Sequence, residues 1–284
     1  MEIGITTWSL SKTAAKDIYE YIDYAKASGF GNLDLTLDHY ANIYDWINDD
    51  ESKMIQYFKE VKAYADNKGI RFSQLHAPYT LFPNYLFSEY ENLIERSIKI
   101  AGVLKCPYVV AHPLVFPQYR QNDLNDKEKR FNINFFKKFI PLLQANNAKI
   151  ALENIYDWTN ERTIRVINVS TPEGLNSYLD ELPEAYFGIC FDTGHLHIAG
   201  YPMEDGIKAW NKRIKVLHIT DNFGKLDDHL LPYQGTIDWT NFKKYLDDVG
   251  FGGVYSLEIK PLEVLSKTQS GMKLAAEITK TFDK

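Results

Sequence analysis

Six short apolar runs in this chain close on the same kinds of residue. Residues 71–76 (RFSQLH) end in His76, residues 108–112 (YVVAH) in His112, and residues 149–154 (KIALEN) carry Glu153 next to their end. Residues 187–191 (FGICF) are followed at once by Asp192 and, three positions on, by His195. Residues 214–219 (IKVLHI) carry His218, with Asp227 and His229 in the loop beyond, and residues 254–259 (VYSLEI) carry Glu258. Carboxylates and imidazoles gathered where a packed core stops cannot all stay charged and unpaired, because desolvation and mutual repulsion are too costly. A divalent cation resolves that conflict. A mixed set of His, Asp and Glu suits zinc, manganese, cobalt or iron better than calcium. One histidine at a strand end is ordinarily structural; a set at the same end of successive strands is not. His39 and His197 lie outside the pattern and read as loop or helix residues. Asp34 and Asp38, around the second strand, read as serving solvent or a neighbouring loop.

The elements that must position these groups alternate regularly. Residues 3–8 form a first apolar run and residues 32–37 (NLDLTL) a second, with polar and apolar residues alternating as in a strand. Apolar residues at helical spacing follow over 12–28, 51–68, 88–104 and 126–146, the first two stopped by Gly29 and Gly69. Further on, Thr171-Pro172 opens a short helix, and helices are expected over 203–212, 239–248 and 266–282. Residues 156–170 and 220–238 read as long polar or irregular loops. Eight strand–helix alternations without hairpin signals predict a parallel sheet, and eight units in 284 residues match a single (β/α)8 TIM barrel over 1–284. An open doubly wound sheet would carry a glycine-rich turn after the first strand, and residues 6–10 have none. In a barrel, all the polar strand ends converge on one rim.

A net charge of −6 and a pI near 5.7 give nucleic acid no bulk attraction. The two cysteines, Cys106 and Cys190, sit in apolar runs, which predicts buried thiols in a reduced, cytoplasmic setting. The opening MEIGITTWSL reads as a strand and not a secretory signal, no apolar run approaches the ~20 residues of a membrane span, and the closing KTFDK carries no lipidation motif.

Seven short stretches in order, LHAPY (75–79), VVAHP (109–113), ALEN (151–154), CFDTGH (190–195), LHITDN (217–222), DDHLLPYQGTIDW (227–239) and SLE (256–258), resemble the xylose-isomerase-like TIM-barrel superfamily. This superfamily holds sugar and sugar-phosphate isomerases, 3-epimerases, inosose dehydratases and endonuclease four. The resemblance covers essentially the whole chain. It implies one divalent metal held by Glu153, Asp192, His218 and Glu258. The endonuclease-four pattern implies up to three zinc ions, adding His76, His112, His195, Asp227 and His229. The PGEG or LGEG usual in the superfamily reads PYQG here (232–235), a departure expected to reshape the mouth.

The reaction expected is proton transfer next to a carbonyl through a metal-stabilised enediolate, with Glu153 and Glu258 as the acid–base pair and His195 on a substrate oxygen. The substrate is a small sugar or polyol derivative, phosphorylated or not, and a homo-oligomer is compatible with it. The wall that excludes water is drawn from Trp8, Tyr79, Phe116 and Trp158. Arg162 and Arg165 read as solvated loop charges, with capture of a phosphate or carboxylate as the alternative. Three rivals follow from the same residues: a trinuclear zinc phosphodiesterase acting on abasic DNA, an inosose dehydratase-type lyase, and a metabolite sensor that keeps the barrel. A pure binder has no need of both glutamates.

Overall fold

All eight expected strands form. The computed structural model describes every residue except 12, 14, 38–49, 79–86, 117–124, 160, 162, 261–268 and 284. The strands are β1 (Ile3–Thr6), β2 (Asn32–Thr36), β3 (Arg71–His76), β4 (Tyr108–Ala111), β5 (Lys149–Glu153), β6 (Phe187–Asp192), β7 (Ile214–His218) and β8 (Tyr255–Leu257). Neighbours pair in parallel from β8 through β1 round to β7. The remaining gap is bridged just past β7, where Ile219 donates its N–H to the Ser256 carbonyl at 2.8 Å and Glu258 donates to the Ile219 carbonyl at 3.0 Å. The result is a nearly closed barrel of the (β/α)8 kind.

Strand alternation separates two apolar layers. Ile5, Leu33, Leu35, Leu75, Ile150, Leu152, Ile189, Phe191 and Leu217 belong to the main core, shared with the helices. Val110, Ala151, Cys190 and Val216 form a second, small cluster. Each of these four stands two residues before His112, Glu153, Asp192 or His218, hence on the same face of its strand. Small apolar side chains inside the barrel therefore form the floor on which the polar groups stand.

The helices follow their local chemistry. Asp17 caps Ile18–Ser28 by accepting the Glu20 N–H at 2.9 Å, and Thr171 caps Pro172–Leu179 through the Gly174 N–H at 3.1 Å. Gly29 and Gly69 end their helices at φ of 94° and 67°, where a side chain would clash. Four features depart from expectation. The opening stretch read as a strand keeps that form over Ile3–Thr6 and turns helical over Thr7–Ser11. The helix over 126–146 is two, Asn125–Lys137 and Ile140–Asn146, because Pro141 has no N–H to continue the first and stands instead in the opening turn of the second. A short antiparallel ribbon, Asp157–Trp158 against Ile164–Arg165, stands in the loop after β5, although no hairpin signal was visible there. A one-and-a-half-turn helix, Thr193–Ile198, begins immediately after β6. No helix of the described residues is long and apolar enough to cross a membrane.

Both cysteines are free and buried, and burial pushes both thiols up from their ordinary range. A thiolate is the reactive form. Neither thiol should therefore react with an aromatic disulfide reagent in the folded protein, and both should react in guanidinium. A thiol titrating at once in the native state would contradict this packing.

Candidate functional site

β5 and β6 set the centre. Asn154, directly after β5, accepts the Asp192 N–H at 2.8 Å and donates to the Asp192 carbonyl at 2.9 Å, which locks the two strand ends together. Glu153 then points into the barrel with both carboxylate oxygens engaged. One faces His76 Nε2 at 3.1 Å and His112 Nε2 at 3.0 Å; the other faces His218 Nδ1 at 3.1 Å. Glu258 Oε2 approaches the same His218 Nδ1 at 3.2 Å. Asp192 spends Oδ1 on capping the short helix, accepting the His195 N–H at 2.6 Å. Its other oxygen is buried and has no hydrogen-bond partner among the described residues.

The nine polar groups expected at the rim thus converge in one mouth, arranged as two groups that share Glu153 and a looser third set. Glu153, Asp192, His218 and Glu258 offer one ligand atom each, all within 4.8 Å of one another, and so do His76, His112 and Glu153. A looser third set gathers on Asp227 Oδ2, which faces His229 Nε2 at 2.9 Å and His195 Nε2 at 3.4 Å. His195 Nδ1–H is donated to the Asn154 carbonyl at 2.8 Å, so its other nitrogen is the one presented to this set. The four-residue group fits a divalent cation. Its donors are one imidazole and three carboxylates, and Asp192 Oδ2 is a buried acceptor with no donor to meet it.

The electrostatics carry the same message. Burial pushes the Glu153 carboxyl up, but the imidazoles of His218 and His112 outweigh it and hold it well below the carboxylate range. Burial, opposed by the His195 imidazole and reinforced by the carboxylates of Glu153, Asp227 and Glu258, lifts Asp192 to about 7. Burial lowers His218, yet the negative groups around it raise it well above the usual imidazole range. Protons on imidazoles supply the positive charge these carboxylates demand, the charge a divalent ion supplies with better geometry.

A cavity of about 250 Å³ opens above, walled by Trp8, Tyr156 and Trp158 and floored by His76, Glu153, His195 and Glu258. Trp8 leans on His229 with ring centroids 4.6 Å apart, and Trp158 stays 37% exposed at the lip. Phe116 packs edge-on against Phe131 and is not part of this wall. Tyr79 and Arg162 lie outside the described residues, as do His39 and Asp38. Arg165 pairs with Asp157 across the ribbon at 2.6 Å, which commits its charge to the loop. His197 bonds Thr236 Oγ1 at 2.9 Å, away from the centre.

Two residues, Tyr156 and Asn154, were not singled out from the sequence, and a third was misread. Tyr156 donates its hydroxyl to Asp227 Oδ2 at 3.1 Å and lies edge-on to His195. Asn154 is the strand clamp described above. Asp34 corrects an expectation: it serves neither solvent nor a loop, but is fully buried inside the barrel with Oδ2 2.9 Å from His218 Nε2.

The loop bearing Asp227 and His229 hangs on Asp221. Its carboxylate accepts the N–H groups of Asn222, Tyr233 and Ile237 and the indole N–H of Trp239, at 2.8–3.1 Å. In the PYQG stretch a Cβ on Gly235 would meet Asp221 Oδ1 and the Asn222 carbonyl at 2.3 Å, so this glycine is needed for the close approach. Tyr233 stands where the superfamily pattern has its first glycine, at φ of 73°, with its ring exposed and next to Trp239 and Phe282. Asp221→Ala leaves four donors without their charged acceptor. It is expected to lower the unfolding free energy by about 3 kcal/mol, with Asp221→Asn losing less. Urea unfolding measures it, and a wild-type midpoint for the alanine variant would contradict the anchor.

A barrel with this rim defines a family. The family model described as xylose isomerase-like TIM barrel matches residues 22–278, and the chain belongs to that family. Among curated relatives, the chain is 27% identical to an inosose isomerase of Bacillus licheniformis over 68% of this chain and 67% of the relative. It is 23% identical to a probable endonuclease 4 of Mycoplasmopsis synoviae over 63% of this chain and 66% of the relative. Among solved structures it is similar to a D-tagatose 3-epimerase-like protein, with a TM-score of 0.76, 22% identity and coverage of 99% and 97%. It is also similar to the IolI protein with a zinc atom bound, with a TM-score of 0.74, 20% identity and coverage of 99% and 97%. These two likenesses speak to the fold.

Proposed function

We propose that this protein is a divalent-metal-dependent isomerase or epimerase of a small sugar or polyol derivative. The observation that carries the reading is the group of Glu153, Asp192, His218 and Glu258, of which Glu153 and Glu258 line a small cavity walled by aromatic rings. These four residues would hold the cation, of the zinc, manganese, cobalt or iron class. When bound, it supplies Lewis-acid stabilisation of the negative charge that develops as a carbon next to a carbonyl loses its proton.

The chain's own groups do the rest. Glu258 and Glu153 come from separate strand ends, so one can take a carbon-bound proton while the other returns one, as isomerisation and epimerisation require. They are not equivalent: both line the cavity, but both oxygens of Glu153 face imidazoles and its side chain is 1% exposed, whereas Glu258 turns one oxygen to His218 and is 12% exposed. His195 Nε2 is oriented by the Asn154 carbonyl behind it and can hold a substrate oxygen. Trp8, Tyr156 and Trp158 exclude water from the proton in transit. Among the described residues no lysine or arginine lines the cavity, which favours a neutral sugar or inosose over a phosphorylated one. The relatedness to an inosose isomerase supports the same substrate class. An inosose-type lyase would use the same first proton abstraction and differ in losing water, which product analysis distinguishes.

A second reading is a trinuclear zinc phosphodiesterase. The observation favouring it is that His76 and His112 share Glu153, and His195 and His229 share Asp227, as two further ion positions would need. The acidic net charge opposes it. Elemental analysis of metal-replete protein, with assays on ketoses, inososes and abasic duplex DNA, separates the two. One ion per chain with turnover of a neutral sugar or inosose is expected. Three zinc ions with nicking of abasic DNA would overturn the proposal.

A further inference from the structure

His218 is the one ligand of the four-residue group that needs its ring turned a particular way. Its Nδ1 faces Glu153 Oε1 at 3.1 Å and Glu258 Oε2 at 3.2 Å, so the cation must be met by Nδ1 and the opposite nitrogen must carry a proton. That opposite nitrogen, Nε2, lies 2.9 Å from Asp34 Oδ2. Asp34 comes from β2 and His218 from β7, strands that do not pair with each other, so the contact crosses the interior of the barrel. Both side chains are fully buried. Asp34 is itself held by Gln74 on β3, whose amide nitrogen donates to Asp34 Oδ2 at 2.8 Å and to the Leu217 carbonyl at 3.2 Å. The imidazole also lies flat on His76, with centroids 5.5 Å apart and planes 10° apart, which leaves it little freedom to rotate.

We infer that Asp34 is a positioning residue for the cation site: by accepting the Nε2–H of His218 it keeps Nδ1 unprotonated when a cation binds and aims it at Glu153 and Glu258. A buried acceptor behind a ligating imidazole both fixes the ring and makes the ligating nitrogen a better donor. Among the described residues the carboxylate that meets His218 Nε2 is that of Asp34, and the buried Cys190 thiol is a further neighbour of the same ring. This inference rests on the proposal that His218 ligates a metal, and its test is built to fail separately from that proposal.

The probe is zinc ion alone, titrated against a chromophoric chelator. Asp34→Ala is expected to bind zinc about 10- to 100-fold more weakly than wild type. Asp34→Asn keeps an oxygen for the ring N–H and is expected to recover most of that loss. An alanine variant that stays folded and binds zinc as tightly as wild type overturns the inference. The second readout needs no metal and no alanine variant. The His218 Nε2–H proton resonance, assigned by its loss in His218→Gln, should lie far downfield in wild type because its acceptor is a charged carboxylate. It should move upfield in Asp34→Asn, where the acceptor is neutral. An unmoved resonance overturns the pairing. Wild-type protein that binds no zinc, with the resonance shifting as expected, would overturn the metal proposal while leaving Asp34 as the group that orients His218.

Discussion

Glu153→Gln and Glu258→Gln are each expected to lower kcat on the true substrate by about 10²- to 10⁴-fold, the range a positioned acid or base contributes. The change removes a charge and keeps nearly the same shape. At Glu153 it also leaves His76, His112 and His218 facing a neutral amide, whose nitrogen cannot accept from them. This variant should therefore lose metal as well as rate. Glu258 meets only His218 among these imidazoles. Its glutamine variant should retain more metal and bind substrate with a KM near the parent value while failing to turn it over. Metal content is to be measured on each sample, so that loss of the ion is separated from loss of proton transfer. Metal-replete variants that both turn over at the parent rate would remove the two glutamates from the chemistry.

The fold and the centre of the site were largely legible because each signal was repeated. Runs such as 187–191 are short, apolar and followed by a polar switch, and eight repetitions of strand and helix leave few architectures. The period-two rule then sends Val110 and His112, or Ala151 and Glu153, to one face without any structure in hand. The same rule explains the misreading of Asp34. In NLDLT the polar residues alternate with leucines, the pattern of a strand with one wet face, but a barrel strand has no wet face. Asn32, Asp34 and Thr36 are all buried. The apparent solvent side is the barrel interior, and a buried aspartate there must have a partner. Asn154 and Tyr156 escaped because their roles depend on contacts with residues 38 and 71 positions away, which local spacing does not encode. The split at Pro141 was legible and was overridden by apolar periodicity that continues across it. The ribbon after β5 carries no Asn-Gly or Asp-Gly turn to announce it.

The central claim is that this site moves a proton on and off carbon, and hydrogen exchange with solvent tests it without requiring the equilibrium to be favourable. Metal-loaded enzyme would be incubated in heavy water with ketohexoses and inososes, and the recovered sugars examined by proton NMR and mass spectrometry. A carboxylate that has taken a proton from carbon can trade it with water before returning it, at a rate set by how well Trp8, Tyr156 and Trp158 seal the cavity. Trp158, partly exposed at the lip, leaves a route for that trade. Replacing it with alanine in the same experiment opens the seal further. The account predicts one deuterium at a single carbon next to the carbonyl of the substrate, incorporated faster in Trp158→Ala and absent in metal-replete Glu258→Gln. Turnover of a sugar by metal-loaded wild type and Trp158→Ala with no deuterium entering carbon in either would contradict it.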